Sequence, residues 1–296
     1  MFLPIPKATP QILPRKVTRL TIPLPTHPLS RQLWKSWSPG SHVRITIPAI
    51  GLLQPHPFTI ASLPSDKELR LYIRSRGGFS QLLYEKTAGS IIAGQQPSLK
   101  INFEGLYQPK FPSFAKFEVV LMISSGIGIT FCITILKDIV QKVKEIQARD
   151  GTCRCKRIGF VWVAKHRGPI LPPASTQLTA VELTWFAKEL SEIMEQAFGL
   201  VALRLYVTQD EPPPSRDQAE KDKDGIPTNI LPFLRSGRPN LTGLVEQAVD
   251  EAVNMGRLGV ATCGNREVNR EVKRACRDNL SKDTQDIYCH AEEFDY

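Results

Sequence analysis

The feature that most constrains this chain is a change of hydrophobic period near residue 117. Before it, apolar and polar residues alternate in short runs: Val17-x-x-Leu20-x-Ile22-x-Leu24, Val43-x-Ile45-x-Ile47, Leu69-x-Leu71-x-Ile73 and Leu99-x-Ile101-x-Phe103. A period of two is that of strands buried on one face. Proline and glycine punctuate the runs at spacings suited to a small antiparallel barrel. One helical patch, Ser80–Lys86, follows Gly77-Gly78. Beyond residue 117 the strands Val119–Ile123, Ile158–Ala164, Leu200–Val207 and Leu258–Thr262 are mostly apolar. Helices alternate with them: Ile133, Leu136, Val140, Val143 and Ile146 recur at three and four residues, and Val181–Ala197, Leu244–Asn254 and Arg266–Asn279 follow. That alternation predicts a parallel sheet wrapped by helices. The expected fold is a two-domain chain: an antiparallel Greek-key β-barrel over residues 12–115, then an α/β parallel-sheet domain over 117–296. Residues 209–226, charged, proline-rich and without period, read as a mobile surface insertion.

Charge follows the same division. Residues 1–117 carry 15 basic and 4 acidic side chains, whereas residues 118–296 carry 23 and 25. The chain has no zinc-finger spacing, aromatic RNA-binding signature or basic heptad helix, so nucleic acid is not an expected partner. A basic first half suits a bound diphosphate or an anionic membrane surface, and solvated lysines and arginines would look the same. The uncharged stretch from Val119 to Leu136 has the length of a membrane span, but Ser124, Ser125, Gly126 and Gly128 interrupt it. A strand, a glycine turn and a helix explain it better. The six cysteines are scattered and Cys153-x-Cys155 has no second ligand pair nearby, so no metal site is expected. Neither a Ser/His/Asp set nor a pair of carboxylates stands in a credible catalytic context.

Four segments carry binding chemistry. Ser124-Ser125-Gly126-Ile127-Gly128-Ile129-Thr130 joins a strand to a helix, where glycines let the backbone approach a diphosphate and free N–H groups meet it. A strand-to-helix turn without a ligand has the same sequence signature. Lys165-His166-Arg167 ends the next strand, which suits a phosphorylated ribose better than a bare diol. In the first half, His56-Pro57-Phe58-Thr59 puts an imidazole, an aromatic ring and a hydroxyl on a strand. Arg74-Ser75-Arg76-Gly77-Gly78-Phe79-Ser80 puts a guanidinium beside a glycine turn that opens a helix. Such groups orient a planar polar ring and clamp a diphosphate, although a proline-broken strand and a turn would suffice structurally.

The order of these motifs, HPFT, RGGFS, Glu104-Gly105-Leu106-Tyr107, SGIGIT, Val161-Trp162, Gly237-Arg238-Pro239, Cys263-Gly264 and the terminal Glu292-x-Phe294, resembles the cytosolic half of ferric reductases and NADPH oxidases. That family lies within the ferredoxin–NADP reductase superfamily, and the resemblance is strongest to fungal metalloreductases. It implies an FAD-binding barrel and an NAD(P)-binding domain. His56, Pro57, Phe58, Thr59, Arg74, Gly77, Gly78 and Ser80 would hold FAD, with Thr59 near flavin N5. Ser125, Gly126, Gly128 and Thr130 would receive the NADPH diphosphate, and Lys165 and Arg238 would face its 2′-phosphate. Gly264 would line the nucleotide site, Cys263 would approach the nicotinamide, and Phe294 would stack on the flavin.

The implied activity is hydride transfer from NADPH to FAD, then single electrons to an acceptor, as in ferric-chelate reduction at the cytosolic face of a membrane. Alternatives are a superoxide-generating oxidase module and a non-catalytic FAD-binding interaction module. Haem is expected only in a missing or partner transmembrane region. The sequence departs from the family pattern at Asn265 and Leu106 (commonly Pro), Tyr296 (commonly Trp), Gln108 (commonly Gly) and Ser124-Ser125 (commonly Gly-Gly).

Overall fold

The computed structural model describes residues 6–25, 37–165, 182–197, 199–208, 226–280 and 286–293, the side chains of residues 52, 53 and 165 excepted. The chain divides between Phe111 and Pro112 into two compact units. The first contains β1 (Lys7–Leu13), β2 (Val17–Pro23), β3 (His42–Ile47), β4 (Gly51–Thr59), β5 (Glu68–Arg74), α1 (Gly78–Ile92), β6 (Leu99–Lys100) and β7 (Asn102–Tyr107). These strands form two antiparallel sheets, ordered β5-β2-β1-β6 and β4-β3-β7. Their alternating residues meet in one core: Leu20, Ile22, Leu69 and Leu71 from one sheet, Val43, Ile45 and Ile47 from the other, and Leu83 from α1. The sequence places this domain's start at residue 12, yet β1 begins at Lys7 and buries Ala8 in the same core.

The second unit contains β8 (Val119–Ser125), α2 (Ile129–Gln147), β9 (Arg157–Lys165), α3 (Ala187–Gln196), β10 (Val201–Thr208), β11 (Leu234–Ser236), α4 (Leu241–Met255), β12 (Leu258–Cys263), α5 (Arg266–Asp278) and β13 (Ile287–Glu292). All six strands are parallel, in the order β11-β10-β9-β8-β12-β13. Every residue of Val119–Ile123 is buried, as expected of a strand covered on both faces. α4 and α5 pack on the face that carries Val119, Leu121 and Ile123. The uncharged Val119–Leu136 stretch is β8, a turn and the start of α2. Among the described residues, no helix is long and apolar enough to cross a membrane. The chain builds outward from β8 through β9 and β10 to β11, then returns to the other side with β12 and β13. This reversal makes the carboxyl ends of β8 and β12 the topological switch point, where open parallel sheets bind ligands.

Candidate functional site

In the first unit, β4 alternates so that His56 and Phe58 share a face. Phe79, just inside α1, stacks on His56 (centroids 4.3 Å, 22° between planes) and on Phe58 (6.1 Å, 28°). Burial lowers the His56 pKa from its ordinary 6.5, favouring the neutral ring. Thr59 is buried at the end of β4, opposite His42. His42 in turn stacks on Tyr107 at 5.0 Å, and the Tyr107 hydroxyl donates to the Glu104 carboxylate at 3.0 Å. Pro57 lies between His56 and Phe58, opposite Arg44.

Arg74 closes β5 and leads into the glycine turn. Gly77 (φ 150°) and Gly78 (φ 48°) have backbone conformations unfavourable to L side chains, and a Cβ at either would meet nothing within 4 Å. Glycine here serves the backbone path and leaves the approach open. The Ser80 hydroxyl accepts from the Arg76 N–H (3.1 Å) and donates to the Gly77 carbonyl (2.9 Å). α1 starts without a side-chain cap and without an acidic residue in its first turn. A flat uncharged aromatic wall, a guanidinium and a bare helix N-terminus fit a ring system that carries a diphosphate.

In the second unit, Gly126 (φ 51°) opens a 3-10 turn, Gly126–Gly128, between β8 and α2. The Trp162 indole donates to the Gly126 carbonyl (3.1 Å), and the Thr130 hydroxyl to that of Ile127 (3.0 Å). Gly128 lies directly on the Cys263 backbone carbonyl, leaving no room for a Cβ. Gly264 lies close on the Ser125 side chain, whose hydroxyl accepts the Asn265 N–H (3.2 Å). The two turns at the switch point are therefore locked together. α2 also begins with no side-chain cap and no acidic residue in its first turn, so this opening too fits a diphosphate. Cys263 is fully buried. Desolvation, then the neighbouring Cys132 and Glu292, pushes its thiol well above the ordinary value. It is a neutral packing group and is not poised as a thiolate.

Lys165 closes β9 beside Thr208 of β10, while β11 flanks β10 on its other edge. Exposed Arg238 follows that strand's end, just past Gly237 (φ 88°), whose N–H donates to the Val207 carbonyl (3.0 Å). Both cation positions thus lie at the carboxyl edge of the sheet. The Lys165 side chain, Phe294 and residues 209–225 lie outside the described residues. Among the described residues, no group of three His, Cys, Asp or Glu side chains could hold a metal ion. Phe79, His42 and Tyr107 join the site through stacking that brings together segments distant in sequence; Phe79 stands in the RGGFS motif and Tyr107 ends Glu104-Gly105-Leu106-Tyr107, while nothing beside His42 in the sequence marks it.

Residues 117–277 match the family described as the ferric reductase NAD-binding domain, and residues 2–110 match an FAD-binding domain. Human dual oxidase 2 is 28% identical over 269 residues, covering 86% of this chain and 16% of that protein. Dual oxidase 1 of Caenorhabditis elegans is 26% identical over 270 residues, covering 86% and 17%. The chain therefore spans only about a sixth of the length of these relatives. A ferredoxin NADP+ reductase from Neisseria gonorrhoeae, solved with bound FAD and NADP, superposes with a TM-score of 0.52 at 14% identity, covering 96% of this chain and 97% of that one. The Plasmodium falciparum ferredoxin-NADP+ reductase gives 0.53 at 13%, covering 99% and 98%.

An antiparallel FAD-binding unit followed by a parallel NAD-binding unit defines a two-domain, flavin- and nicotinamide-binding module of the ferredoxin–NADP reductase fold. Within that class, the chain belongs to the ferric reductase NAD-binding domain family.

Proposed function

We propose that this chain passes a hydride from NADPH to FAD and then single electrons to an acceptor, as the flavin–nicotinamide module of a ferric-chelate reductase. Iron or copper chelates would be its final acceptors. The observation that carries this reading is the pair of glycine openings, Gly77-Gly78 and Gly126–Gly128, each leading into a helix with an uncapped N-terminus. FAD, when bound, accepts two electrons as hydride and releases them one at a time. The residues supply position and field. Arg74, the Gly77-Gly78 backbone and Ser80 would hold the flavin diphosphate, with neutral His56, Pro57 and Phe58 beside its rings and the Thr59 hydroxyl at N5. Ser125, Gly126, Gly128 and Thr130 would take the NADPH diphosphate, Lys165 and Arg238 its 2′-phosphate. Cys263 and Gly264 would shape the nicotinamide end as a neutral wall, and Phe294 would cover the flavin until nicotinamide displaces it.

The basic surplus of residues 1–117 supports work at the cytosolic face of an anionic membrane, delivering electrons to haem in a membrane partner or region. The dual oxidase relatives favour a second reading, in which the acceptor leads to oxygen. Reconstitution with FAD and anaerobic addition of NADPH tests the first step: flavin absorbance should bleach. Recovery of that absorbance on adding ferric chelate without oxygen favours the reductase. Recovery only with oxygen, with superoxide formed, favours the oxidase. A bound flavin that NADPH leaves unbleached would reduce the chain to a binding module.

A further inference from the structure

α5 and β13 bring two thiols together in one packed cluster. Cys276 lies on the inward face of α5 with Val272 and Ala275 and is 3% exposed. Cys289 is half-buried on β13, on the side of the sheet that also carries Ile287. Tyr288 and His290 alternate to the opposite side, where Tyr288 stacks on Phe117 (5.6 Å, 21°) and His290 meets Phe131 (5.7 Å). β13 is an edge strand, so Cys289 is reachable from solvent while Cys276 is not.

Both thiols are free, and their side chains are hydrogen-bonded to each other. That bond, with burial behind it, holds the Cys276 proton tightly. The same bond lowers the proton affinity of Cys289 against the cost of its burial, and the Lys273 ammonium helps. The remaining buried thiols are held protonated by burial: Cys132 and Cys263 well above the ordinary value, and Cys155 at about 12. A partly accessible sulfur packed beside a shielded second thiol is the arrangement of a reactive cysteine and its resolving partner.

We propose that Cys276 and Cys289 form a reversible dithiol–disulfide site, oxidised by hydrogen peroxide, that links α5 to β13. The Cys289 thiolate attacks one peroxide oxygen. The O–O bond breaks, the departing hydroxide takes a proton as water, and Cys289 becomes a sulfenic acid. The Cys276 sulfur then gives up its proton and attacks Cys289. The S–S bond forms, the S–O bond breaks, and the second oxygen leaves as water. Two thiols lose two electrons and one peroxide becomes two waters, and a dithiol reductant reverses the change by exchange.

The new bond would reinforce an existing seam. The Asn269 side-chain amide donates to the Glu292 carbonyl (2.8 Å), and Lys273 pairs with Glu293 (2.7 Å), both joining α5 to the end of β13.

Peptide mapping after differential alkylation tests the proposal on the FAD-loaded chain. Brief peroxide treatment should abolish labelling of Cys276 and Cys289 together and yield one cross-linked peptide pair lighter by two hydrogens. Dithiothreitol should restore both labels. In Cys276→Ser, Cys289 should stop at the sulfenic acid and capture dimedone; in Cys289→Ser, Cys276 should keep its thiol. Full labelling of both cysteines after peroxide overturns the proposal, as does a cross-link from Cys289 to any other cysteine. The wild-type map decides the matter even where a serine variant does not fold.

Discussion

A single methyl group at Gly128 tests the locked switch point. A Cβ there would lie 2.7 Å from the Cys263 carbonyl carbon and 3.1 Å from its Sγ, with the carbonyl oxygen closer still. Oxygen and carbon are backbone at the end of β12, held in register with Ser124 of β8, and cannot turn aside as a side chain would. Gly264 provides the contrast. Its added Cβ would meet the Ser125 hydroxyl, Ser125 Cβ at 3.2 Å and Val268 Cγ1 at 3.3 Å. A rotation of the Ser125 side chain clears the first contact, at the loss of the hydrogen bond from the Asn265 N–H. Overpacking that moves backbone costs about 1–3 kcal/mol, whereas one neutral hydrogen bond is worth about 0.5–1.5 kcal/mol. In a unit of this size each kcal/mol shifts the midpoint by about 2–4 °C. Gly128→Ala should therefore lower the second unit's midpoint by roughly 2–12 °C, and Gly264→Ala by less. Differential scanning calorimetry ranks the two variants directly, and NADPH titration reports whether the displaced turn also loses nucleotide. A Gly128→Ala midpoint equal to wild type, or a reversed ranking, would refute the reasoning.

Arg238→Ala should weaken NADPH by roughly tenfold to a hundredfold, the loss of one charge-assisted contact of about 1.5–3 kcal/mol, and leave NADH nearly unchanged. Equal loss with both nucleotides would make Arg238 structural. Phe294→Ala should tighten nicotinamide binding and narrow the NADPH-over-NADH preference; steady-state kinetics identical to wild type with both nucleotides would dismiss the stacking role. His56 has a folded pKa below its ordinary 6.5, so its neutral form contributes stability that is present above 6.5 and lost as pH falls below it. The urea midpoint of the first unit should fall as pH drops through that window in wild type and fall less in His56→Gln, and identical pH dependences would contradict the assignment.

The second unit was legible because its strands are buried on both faces and its helices keep a 3.6-residue apolar spacing. The strands Val119–Ile123, Ile158–Ala164 and Leu258–Thr262 gain only one or two residues at their ends. The Val181–Ala197 segment is shorter as a helix, since a 3-10 turn over Leu183–Trp185 precedes α3. The first unit hid more. Leu99-x-Ile101-x-Phe103 reads as one strand, but Leu99–Lys100 pairs with β1 and Asn102–Tyr107 with β3. Leu99 and Ile101 are both buried, so the alternation runs unbroken through a corner where the chain changes sheets. Pro10 interrupts β1 and obscures it in the sequence; among the described residues β6 pairs only with Lys7 and Ala8, which leaves Pro10 on an effectively open edge. α1 runs to Ile92, well past Lys86; it buries only Leu83 and Thr87, so almost no apolar stripe marks its length in the sequence. Of the site, the glycine turns and their neighbouring cations were readable. The His56–Phe79 stack and the Gly128–Cys263 contact were not, since each depends on segments that only tertiary structure brings together.

Capping distinguishes the two turns of the switch point. α4 and α5 start on asparagine caps: Asn240 accepts the Gly243 N–H and Asn265 the Val268 N–H, each at 2.9 Å. α1 and α2 have no such cap, forgoing about 1 kcal/mol each; a positive-φ glycine, Gly77, precedes α1 directly, and another, Gly126, opens the turn that leads into α2. α5 rises from the same crevice as α2, yet the Asn265 side chain occupies the Val268 N–H at its N-terminus and Glu267 stands in its first turn, where it would repel an anion. On the proposed reading, the diphosphate belongs to Gly126–Gly128, and Cys263–Asn265 serves the uncharged end of the nucleotide. Asparagine where the family commonly has proline is then a cap that closes α5. Asn265→Ala should lower the second unit's stability by about 0.5–2 kcal/mol while leaving NADPH affinity within a factor of about two, since its diphosphate contacts lie on the other turn. Calorimetry and nucleotide titration of the same preparation separate the two effects. An affinity loss of tenfold or more at an unchanged midpoint would exchange the roles of the two turns.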